Sequence, residues 1–280
     1  QKQRHRGVLG GARVKQRKIL SSAYLVLVLL LMYLPILVVA VFSLNANTSR
    51  FTYNFTGFSL QYYEGLMKDT KGLVAALLQS LELALYSCLI SAVVGTLGAV
   101  GMARRKFRFS GAIEGISMLP AMIPEIILAM GFLSIFAAVG VPFGMLTLLI
   151  AHVTFCIPYI FIVVRGRLAG LDPELPSAAR DLGASPVRAF FDVTLPLILP
   201  GIFSGTLLAF AMSMDDFVIS FFVTGPGTTT LPIKIYSSVR MGVSLQVNAL
   251  STMMLATVFL VIAVFRLVRQ NKQHKGRSQT

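Results

Sequence analysis

Tryptophan is absent from this chain of 280 residues, and only two cysteines and 11 acidic residues occur in it. Charged residues make up 13% of the chain and hydrophobic residues 55%, and the mean hydropathy is +0.77. Such a shortage of charge excludes a water-soluble globular domain and indicates an integral membrane protein. Cys88 and Cys156 both fall in apolar stretches without the spacing of a metal site, so we expect buried free thiols.

Nucleotide-binding and hydrolytic motifs are also absent from the sequence. It contains no Gly-x-x-x-x-Gly-Lys-Ser/Thr phosphate loop, no His-Glu-x-x-His zinc motif and no Gly-x-Ser-x-Gly nucleophile elbow. We therefore expect no catalytic residues, no metal site and no cofactor bound by this chain. A membrane-embedded enzyme that acts on lipid is disfavoured for the same reason.

Six apolar stretches reach the length of roughly 20 residues that a helix needs to cross a bilayer. They run at about Ile19–Phe42, Leu73–Ala103, Ala112–Val139, Pro142–Val164, Leu197–Val223 and Asn248–Phe265. These stretches predict an all-α membrane protein with six transmembrane helices, which extends over residues 19–268. The first stretch is longer than the core of a cleavable signal peptide, so we expect it to remain as an anchor.

Basic residues lie mainly on one side of these stretches. The N-terminal tail, residues 104–111, residues 165–196 and residues 266–280 together carry 20 of the 25 lysines and arginines. The exceptions are Arg50, Lys68, Lys71, Lys234 and Arg240. This asymmetry follows the positive-inside rule, so residues 1–18 and 269–280 are predicted to be cytoplasmic tails. The net charge of +14 therefore indicates topology and contact with anionic lipid, and we expect no nucleic-acid partner.

Four acidic residues lie well inside the predicted spans: Glu82, Glu125, Asp215 and Asp216. At about 1.5 Å per residue, they lie roughly 10 to 21 Å from the outer ends of their spans. An ionised group at the bilayer centre costs about 2.5 to 3.5 kcal/mol, and no Lys or Arg within the spans offsets that cost. We therefore expect these acids to line the route of a positively charged cargo, unless they are protonated or hydrogen-bonded to Ser, Thr and backbone groups and hold helices together. Because adjacent helical residues point in different directions, we expect one aspartate to face the route and the other to bond a neighbouring helix or a partner subunit.

Prolines and one histidine also interrupt the apolar pattern. Pro120 and Pro124 lie in the third predicted span and Pro158 in the fourth, where each removes a backbone hydrogen bond. Such breaks persist where protein or a water-lined cavity satisfies the freed groups, so these helices either face a pathway or carry simple packing kinks. We expect His152, a single imidazole in the fourth span, to be satisfied by a neighbouring helix.

The longest polar break on the cytoplasmic side spans residues 172–200. Asp172, which precedes a proline, is typical of a helix start, and Gly183 is typical of a helix end. Ser185, which also precedes a proline, repeats the start signal. The pattern predicts two short helices hinged at a glycine, a shape well suited to a cleft on another protein.

Two longer segments lie on the outer side of the predicted spans. Residues 43–72 are polar and aromatic, and they are long enough to include a small surface helix. Residues 224–247 contain a run of threonine, glycine and proline that predicts a turn.

The cytoplasmic break resembles the Glu-Ala-Ala loop of permease subunits of bacterial ABC importers, whose pattern is Glu-Ala-Ala, three residues, Gly, nine residues and Ile-x-Leu-Pro. The corresponding positions here are Ser177-Ala178-Ala179, Gly183 and Val193-Thr194-Leu195-Pro196. Ser177 replaces the usual glutamate and Val193 the isoleucine, so a salt bridge from position 177 is in doubt, whereas the shape of the elbow is not. The resemblance implies that residues 172–196 contact a separate ATPase through Ser177, Ala178, Ala179, Asp181, Gly183, Ala184 and Ser185.

Further segments are similar to the spermidine/putrescine permeases, and among them to the PotC-type subunit. These segments are Ala151–Cys156, Asp181–Ser185, Ser213–Ile219, Phe222–Gly227 and Val247–Leu250, and the resemblance extends over about residues 20–268. It implies the type I ABC importer permease fold in a bacterial inner membrane. It also implies a second permease subunit in a heterodimer, two ATPase subunits that bind ATP and Mg²⁺, and a periplasmic polyamine-binding protein.

Two alternatives stay open from the sequence. The chain could be an ABC importer permease for another solute, such as an opine, an amino acid, iron or sulfate. It could also be an ion-coupled secondary transporter of organic cations, in which the same carboxylates carry protons.

Overall fold

The computed structural model describes residues 2–49, 54–69, 72–104, 108–242 and 245–277. These residues form helices joined by loops, and the only bridge between extended segments among them pairs Asn45 with Phe58. The predicted all-α class is thereby confirmed. Arg50, Lys71 and residues 105–107, which carry part of the predicted charge asymmetry, lie outside the described ranges.

The described residues contain the following elements in chain order: α1 (Lys2–Phe42), α2 (Gln61–Lys68), α3 (Leu73–Arg104), α4 (Ser110–Met122), α5 (Glu125–Val139), α6 (Met145–Ala169), α7 (Leu175–Asp181), α8 (Pro186–Ala189), a π-helical turn (Phe190–Thr194), α9 (Leu195–Asp215), α10 (Val218–Val223), α11 (Leu231–Arg240) and α12 (Leu245–Arg277). They group into two compact units. The terminal unit is drawn from Gln1–Lys68 and Ser238–Thr280, and the central unit from Asp69–Ser237.

Among the described residues, five helical stretches are long and apolar enough to cross a membrane: Ser21–Phe42, Leu73–Ala103, Met145–Ala169, Pro186–Asp215 and Leu245–Leu267. Helices α4 and α5 together make a sixth candidate, but they are bent by 104° at the break between them. The interruption that the prolines predict in the third span is therefore present, and it divides residues 112–139 into two helices at a bend much larger than a simple kink. The chain leaves the helix at Ile123, with ψ of 136°, because Pro124 disfavours the helical conformation in the residue before it.

The fifth predicted span, Leu197–Val223, also differs in the structure. Its helix begins earlier, at Pro186, because the chain passes from α8 through the π-helical turn into α9 without a break. Towards its other end it is interrupted at Asp216, whose extended backbone (ψ 118°) separates α9 from the six-residue α10. A break inside a membrane requires partners for the backbone groups that it frees.

Helix α6 lies between α3 and α9 in the middle of the central unit. Glycines allow the close contact: a methyl group on Gly95 of α3 would lie 3.2 Å from Cβ of Ile160, and one on Gly205 of α9 would lie 3.1 Å from Cα of the same residue. Small residues at such contacts let membrane helices approach closely and gain van der Waals contact. Cys88 and Cys156 lie in this core as buried free thiols, which confirms the expectation for them.

The terminal unit contains α1, α2 and α12, and its segment between α1 and α2 is organised around the completely buried Asn45. The side-chain oxygen of Asn45 accepts hydrogen bonds from the backbone N–H groups of Asn47 (3.2 Å) and Thr56 (2.9 Å). Helix α2 is the small helix expected within residues 43–72. In the segment after α10, where the composition predicts only a turn, the structure adds helix α11.

Replacing Gly205 with Ala tests the packing of α9 on α6. The added methyl group would press on the backbone of Ile160, and overpacking of this kind costs about 1 to 3 kcal/mol. Compared with the same substitution at an uncrowded helical glycine, we expect the purified protein in detergent to lose its native elution peak in size-exclusion chromatography at a temperature lower by about 2 to 10 °C.

The matched control is Gly131→Ala in α5, where an added methyl group meets nothing within 4 Å. This change raises helix propensity by up to about 1 kcal/mol, so the control should be as stable as the parent or more so. Equal melting of the two variants would contradict the close contact at Gly205.

Candidate functional site

Two helix breaks of the central unit meet at one small cavity. Helix α5, which begins after the first break, packs against α10, which begins after the second. The cavity has a volume of about 20 Å³ and is lined by Pro120, Glu125, Leu128, Phe155, Tyr159, Met212, Asp216 and Ile219. This volume holds about one molecule of the size of water. The structure thus brings two of the four predicted route acids to one place.

Asp216 is buried, and its carboxylate caps the start of α10. One oxygen, Oδ1, accepts the backbone N–H of Ile219 at 3.2 Å. The other, Oδ2, accepts the backbone N–H of Ser220 at 2.8 Å and the hydroxyl of Ser220 at 2.7 Å. These bonds satisfy backbone donors that the break would otherwise leave without partners, which explains locally why the chain can break here.

Asp215, the preceding residue, is the last residue of α9 and is exposed on the surface of the chain. Its side chain therefore points away from the contacts that hold Asp216. One aspartate is bonded to neighbouring helices and the other is open, as expected from the angle between adjacent helical residues. Which of them meets a cargo stays a prediction.

Glu125 is the first residue of α5 and is exposed, although its side chain also lines the small cavity. The depth expected for it came from a straight third span. Because α4 and α5 are bent by 104°, the depth calculated along a straight helix does not apply to Glu125. The structure places Glu125 at the break instead.

Glu82 is exposed on α3, and hydrogen bonds place it towards the same end of the central unit as Asp215. The hydroxyls of Ser87 on α3 and Ser213 on α9 lie 3.5 Å apart. Farther towards the start of α3, Gln79 accepts the backbone N–H of Thr229, which follows α10. Along the sequence, Glu82 lies between Gln79 and Ser87. Asp215 likewise lies between Ser213 and Thr229. Both acids therefore lie between the two contacts that join these segments. Within the described residues, no Lys or Arg lies within 4.0 Å of the carboxylate oxygens of any of the four route acids.

His152 of α6 is completely buried beside this cluster. Its Nδ1 lies 2.8 Å from the hydroxyl of Ser213 in α9, and its Nε2 lies 3.0 Å from the hydroxyl of Ser220 in α10. Nε2 is also 3.4 Å from Oδ2 of Asp216. The expectation that neighbouring helices satisfy this imidazole is confirmed. The contact of His152 with Asp216 was not predicted, because the partners of His152 lie more than 60 residues away in the sequence.

The elbow, which the sequence places on the cytoplasmic side, contains the two predicted short helices, hinged at Gly183, whose φ of +91° is a conformation that favours glycine. Ser185 caps α8 by accepting the backbone N–H of Arg188 at 3.2 Å, as predicted. The first helix begins at Leu175 rather than beside Asp172. Asp172 instead accepts the backbone N–H of residue 174 at 2.9 Å, in a turn that precedes the helix.

The elbow exposes apolar side chains among its polar ones. Leu182, next to the hinge, is 91% exposed, and Val187 is 66% exposed. Five of the predicted coupling residues are exposed and two are half-buried: Ser177, Ala178, Asp181, Gly183 and Ser185 in the first group, and Ala179 and Ala184 in the second. A cavity of about 570 Å³ lies on the inner side of the elbow and is lined in part by Ser177 and Arg180. Exposed apolar side chains at a hinge of this kind are typical of a protein contact.

Known proteins resemble this chain over most of its length. Residues 91–273 match the family described as "Binding-protein-dependent transport system inner membrane component". The putrescine transport system permease protein PotI of Escherichia coli (strain K12) is 40% identical over 268 residues, which cover 91% of this chain and 94% of PotI. The spermidine/putrescine transport system permease protein PotC of Haemophilus influenzae is 36% identical over 258 residues, which cover 92% of this chain and 99% of PotC.

Solved structures share the fold at low identity. A bacterial ABC transporter involved in the import of the acidic polysaccharide alginate matches with a TM-score of 0.68 and 15% identity, over 90% of this chain and 95% of that chain. The MetNI methionine ABC transporter in an inward-facing conformation matches with a TM-score of 0.58 and 21% identity, over 74% of this chain and 97% of that chain. The chain therefore belongs to the family of binding-protein-dependent transport system inner membrane components, and it has the fold of an ABC transporter permease.

Proposed function

We propose that this chain is a permease subunit of an ATP-driven importer of polyamines such as spermidine and putrescine. The proposal is supported by its similarity to PotC and PotI, whose names specify these substrates. It is also supported by the chemistry of the four acids, since a linear polyamine carries several separated ammonium groups. In this function the chain lines the translocation path and hydrolyses nothing itself.

The single observation that carries the proposal is the meeting of two helix breaks at Glu125 and Asp216. In a membrane, a broken helix offers carboxylates, carbonyl oxygens and helix ends to an ion that must cross. The last turn of α9 presents the negative end of a helix next to the open carboxylate of Asp215. Glu125 and Asp216 offset the positive ends of α5 and α10 at the breaks, so the open carboxylate of Asp215 and the negative end of α9 favour a cation over an anion.

The four acids have different parts in this route. Asp215 and Glu82 are exposed on the central unit and are available to an ammonium group that approaches from the outer side. Glu125 and Asp216 border a cavity with space for about one water-sized group, so an ammonium head fits there and a whole polyamine does not. The cargo therefore passes these carboxylates one head group at a time.

The partners follow from the same proposal. A second permease subunit completes the path, a periplasmic polyamine-binding protein delivers the cargo, and two ATPase subunits bind ATP and Mg²⁺. The elbow between α6 and α9 contacts the ATPase through its exposed apolar residues, Leu182 and Val187. Ser177, Ala178, Ala179, Asp181, Gly183, Ala184 and Ser185 surround this contact and couple its movement to the spans.

Copurification followed by reconstitution tests the proposal. The tagged chain is isolated from its native membrane, the copurified subunits are identified, and the complex is placed in proteoliposomes with ATP inside and labelled spermidine or putrescine outside with the binding protein. We expect uptake that requires ATP and is not inhibited by an excess of sulfate or an amino acid. Uptake by the chain alone, driven by an ion gradient, would instead establish a secondary transporter. ATP-driven uptake of one of these other solutes, without polyamine uptake, would also overturn the proposal.

Asparagine variants of the two aspartates test the cation route. Asp215→Asn removes an open charge, and Asp216→Asn removes a buried charge while its amide oxygen keeps one of the two acceptors that cap α10. In the reconstituted complex, we expect each variant to lower the number of polyamine molecules imported per ATP hydrolysed about tenfold, the loss typical of one hydrogen bond to a charged group. ATP hydrolysis stimulated by the binding protein should change little.

Two further variants serve as controls for this experiment. Asp216→Ala removes the cap together with the charge and should also lower protein abundance, because a lost cap costs about 1 kcal/mol. Glu64→Gln removes an exposed acid of α2 and should transport normally. Unchanged transport in Asp215→Asn, Asp216→Asn and the double variant would make these acids structural.

Gly183→Pro tests the elbow. Proline fixes φ near −65° and has no N–H, so it excludes the observed φ of +91° and the hydrogen bond from Gly183 N to Arg180 O (2.9 Å). We expect abolished ATP-driven uptake with a normal amount of protein in the membrane, measured by uptake and immunoblotting. Gly170→Ala is the matched control, because Gly170 lies before the elbow at an ordinary φ of −91°. Normal uptake by Gly183→Pro would remove the elbow from the mechanism.

A further inference from the structure

His152 links the two sides of the second helix break. Ser213 lies three residues before Asp216, in α9, and Ser220 lies four residues after it, in α10. One imidazole ring from α6 reaches both hydroxyls, Ser213 at 2.8 Å and Ser220 at 3.0 Å. In a continuous helix, residues seven apart are about 10.5 Å apart along the axis. The ring thus fixes how far apart the two ends of the break lie.

The hydrogen-bond directions connect this ring to the carboxylate. An ionised carboxylate only accepts hydrogen bonds, so the 2.7 Å contact between the Ser220 hydroxyl and Asp216 uses the single hydroxyl hydrogen of Ser220. The Ser220 oxygen must then accept the hydrogen carried by Nε2 of His152. A chain of hydrogen bonds therefore runs from His152 through Ser220 to Oδ2 of Asp216, and such chains polarise their members.

The other ring nitrogen contacts α9, on the far side of the break and close to α3. The hydroxyl of Ser213, which contacts Nδ1 of His152, also lies 3.5 Å from the hydroxyl of Ser87. Ser87 donates to the backbone carbonyl of Leu83 at 2.7 Å, within its own helix. Because the hydroxyl hydrogen of Ser87 is used within α3, Ser87 only contacts Ser213, and the hydrogen bonds of the ring connect the break to α6 and α9. All members of this network are buried, and among them Asp216 also lines the small cavity.

From these contacts we infer that His152 is a positioning residue for transport: it holds the break between α9 and α10 so that the carboxylate of Asp216 faces the small cavity shared with Glu125. It touches no cargo and acts through Ser220 and Asp216. The inference rests on the proposed function of Asp216 in the cation route. It assigns to this histidine a part in cargo transfer, which differs from filling space between helices.

Two substitutions of His152 separate hydrogen bonding from packing. His152→Phe keeps an aromatic ring and removes both ring nitrogens. His152→Gln loses the ring and keeps an N–H donor that can reach Ser220. In the reconstituted complex, we expect His152→Phe to lower polyamine imported per ATP hydrolysed about tenfold, as for the loss of a hydrogen bond in a charged network, and His152→Gln to recover most of it.

A double variant decides whether the histidine acts through the aspartate. If it does, His152→Phe in the Asp216→Asn background should cause little further loss, because the carboxylate that it positions is gone. Independent effects would multiply, to a total loss of about a hundredfold. The transport ratio, normalised to the amount of assembled complex, is the readout, since a merely structural change would alter abundance and ATP hydrolysis as well.

Ser220→Ala provides a second test that leaves His152 in place. It removes the hydroxyl between the imidazole and the carboxylate but keeps the backbone N–H that Asp216 accepts. We expect a loss similar to that of His152→Phe, and this variant carries the test if the phenylalanine variant does not assemble. A normal transport ratio in Ser220→Ala, or multiplying losses in the double variant, would overturn the inference. Absence of polyamine uptake by the unmodified complex would instead refute the proposed function.

Discussion

A helix that breaks inside a membrane must find partners for its freed backbone groups within the protein, because hydrocarbon offers none. The break between α9 and α10 meets this requirement with one carboxylate. Asp216 accepts the first N–H groups of α10, and the hydroxyl of Ser220 bonds the same oxygen. The buried charge is thereby dispersed over several donors, so a group that would be costly as an isolated ion becomes the element that makes the break possible.

Helix α6 supplies the rigid reference for this break. Ile160, at its centre, contacts the backbones of α3 and α9 at Gly95 and Gly205, so the three helices are held at a fixed spacing. His152 lies eight residues earlier, about 12 Å along the same helix, and it bonds the ends of both α9 and α10. Close packing at Ile160 therefore determines where His152 and its hydrogen-bond partners lie. A change in the spacing of the helices would move the polar groups at the break.

The sequence allows some of these features to be predicted and conceals others for physical reasons. Apolar length and basic asymmetry predict the spans, and the serine and glycine signals predict the elbow, since both depend on local chemistry. Pro124 indicates a weakness in the third span, but neither the bend of 104° nor the packing of α5 against α10 follows from the sequence. Asp216 is recognisable as a charge in an apolar stretch, whereas its role as a cap is not, because the residues after it read as a continuous helix. The partners of His152 are far away in sequence and leave no local signal.

The two adjacent aspartates differ in how many hydrogen bonds their carboxylates already accept, and therefore in how strongly they can bind a cation. Asp215 is open, while Oδ2 of Asp216 already accepts two hydrogen bonds and lies 3.4 Å from an imidazole nitrogen. A carboxylate whose charge is shared in this way binds an ammonium group more weakly than a free one. Conduction requires sites that are attractive enough to enter and weak enough to leave. In the proposed importer, the transition from the open to the saturated aspartate would therefore lower affinity along the path and favour onward movement of the cargo over retention.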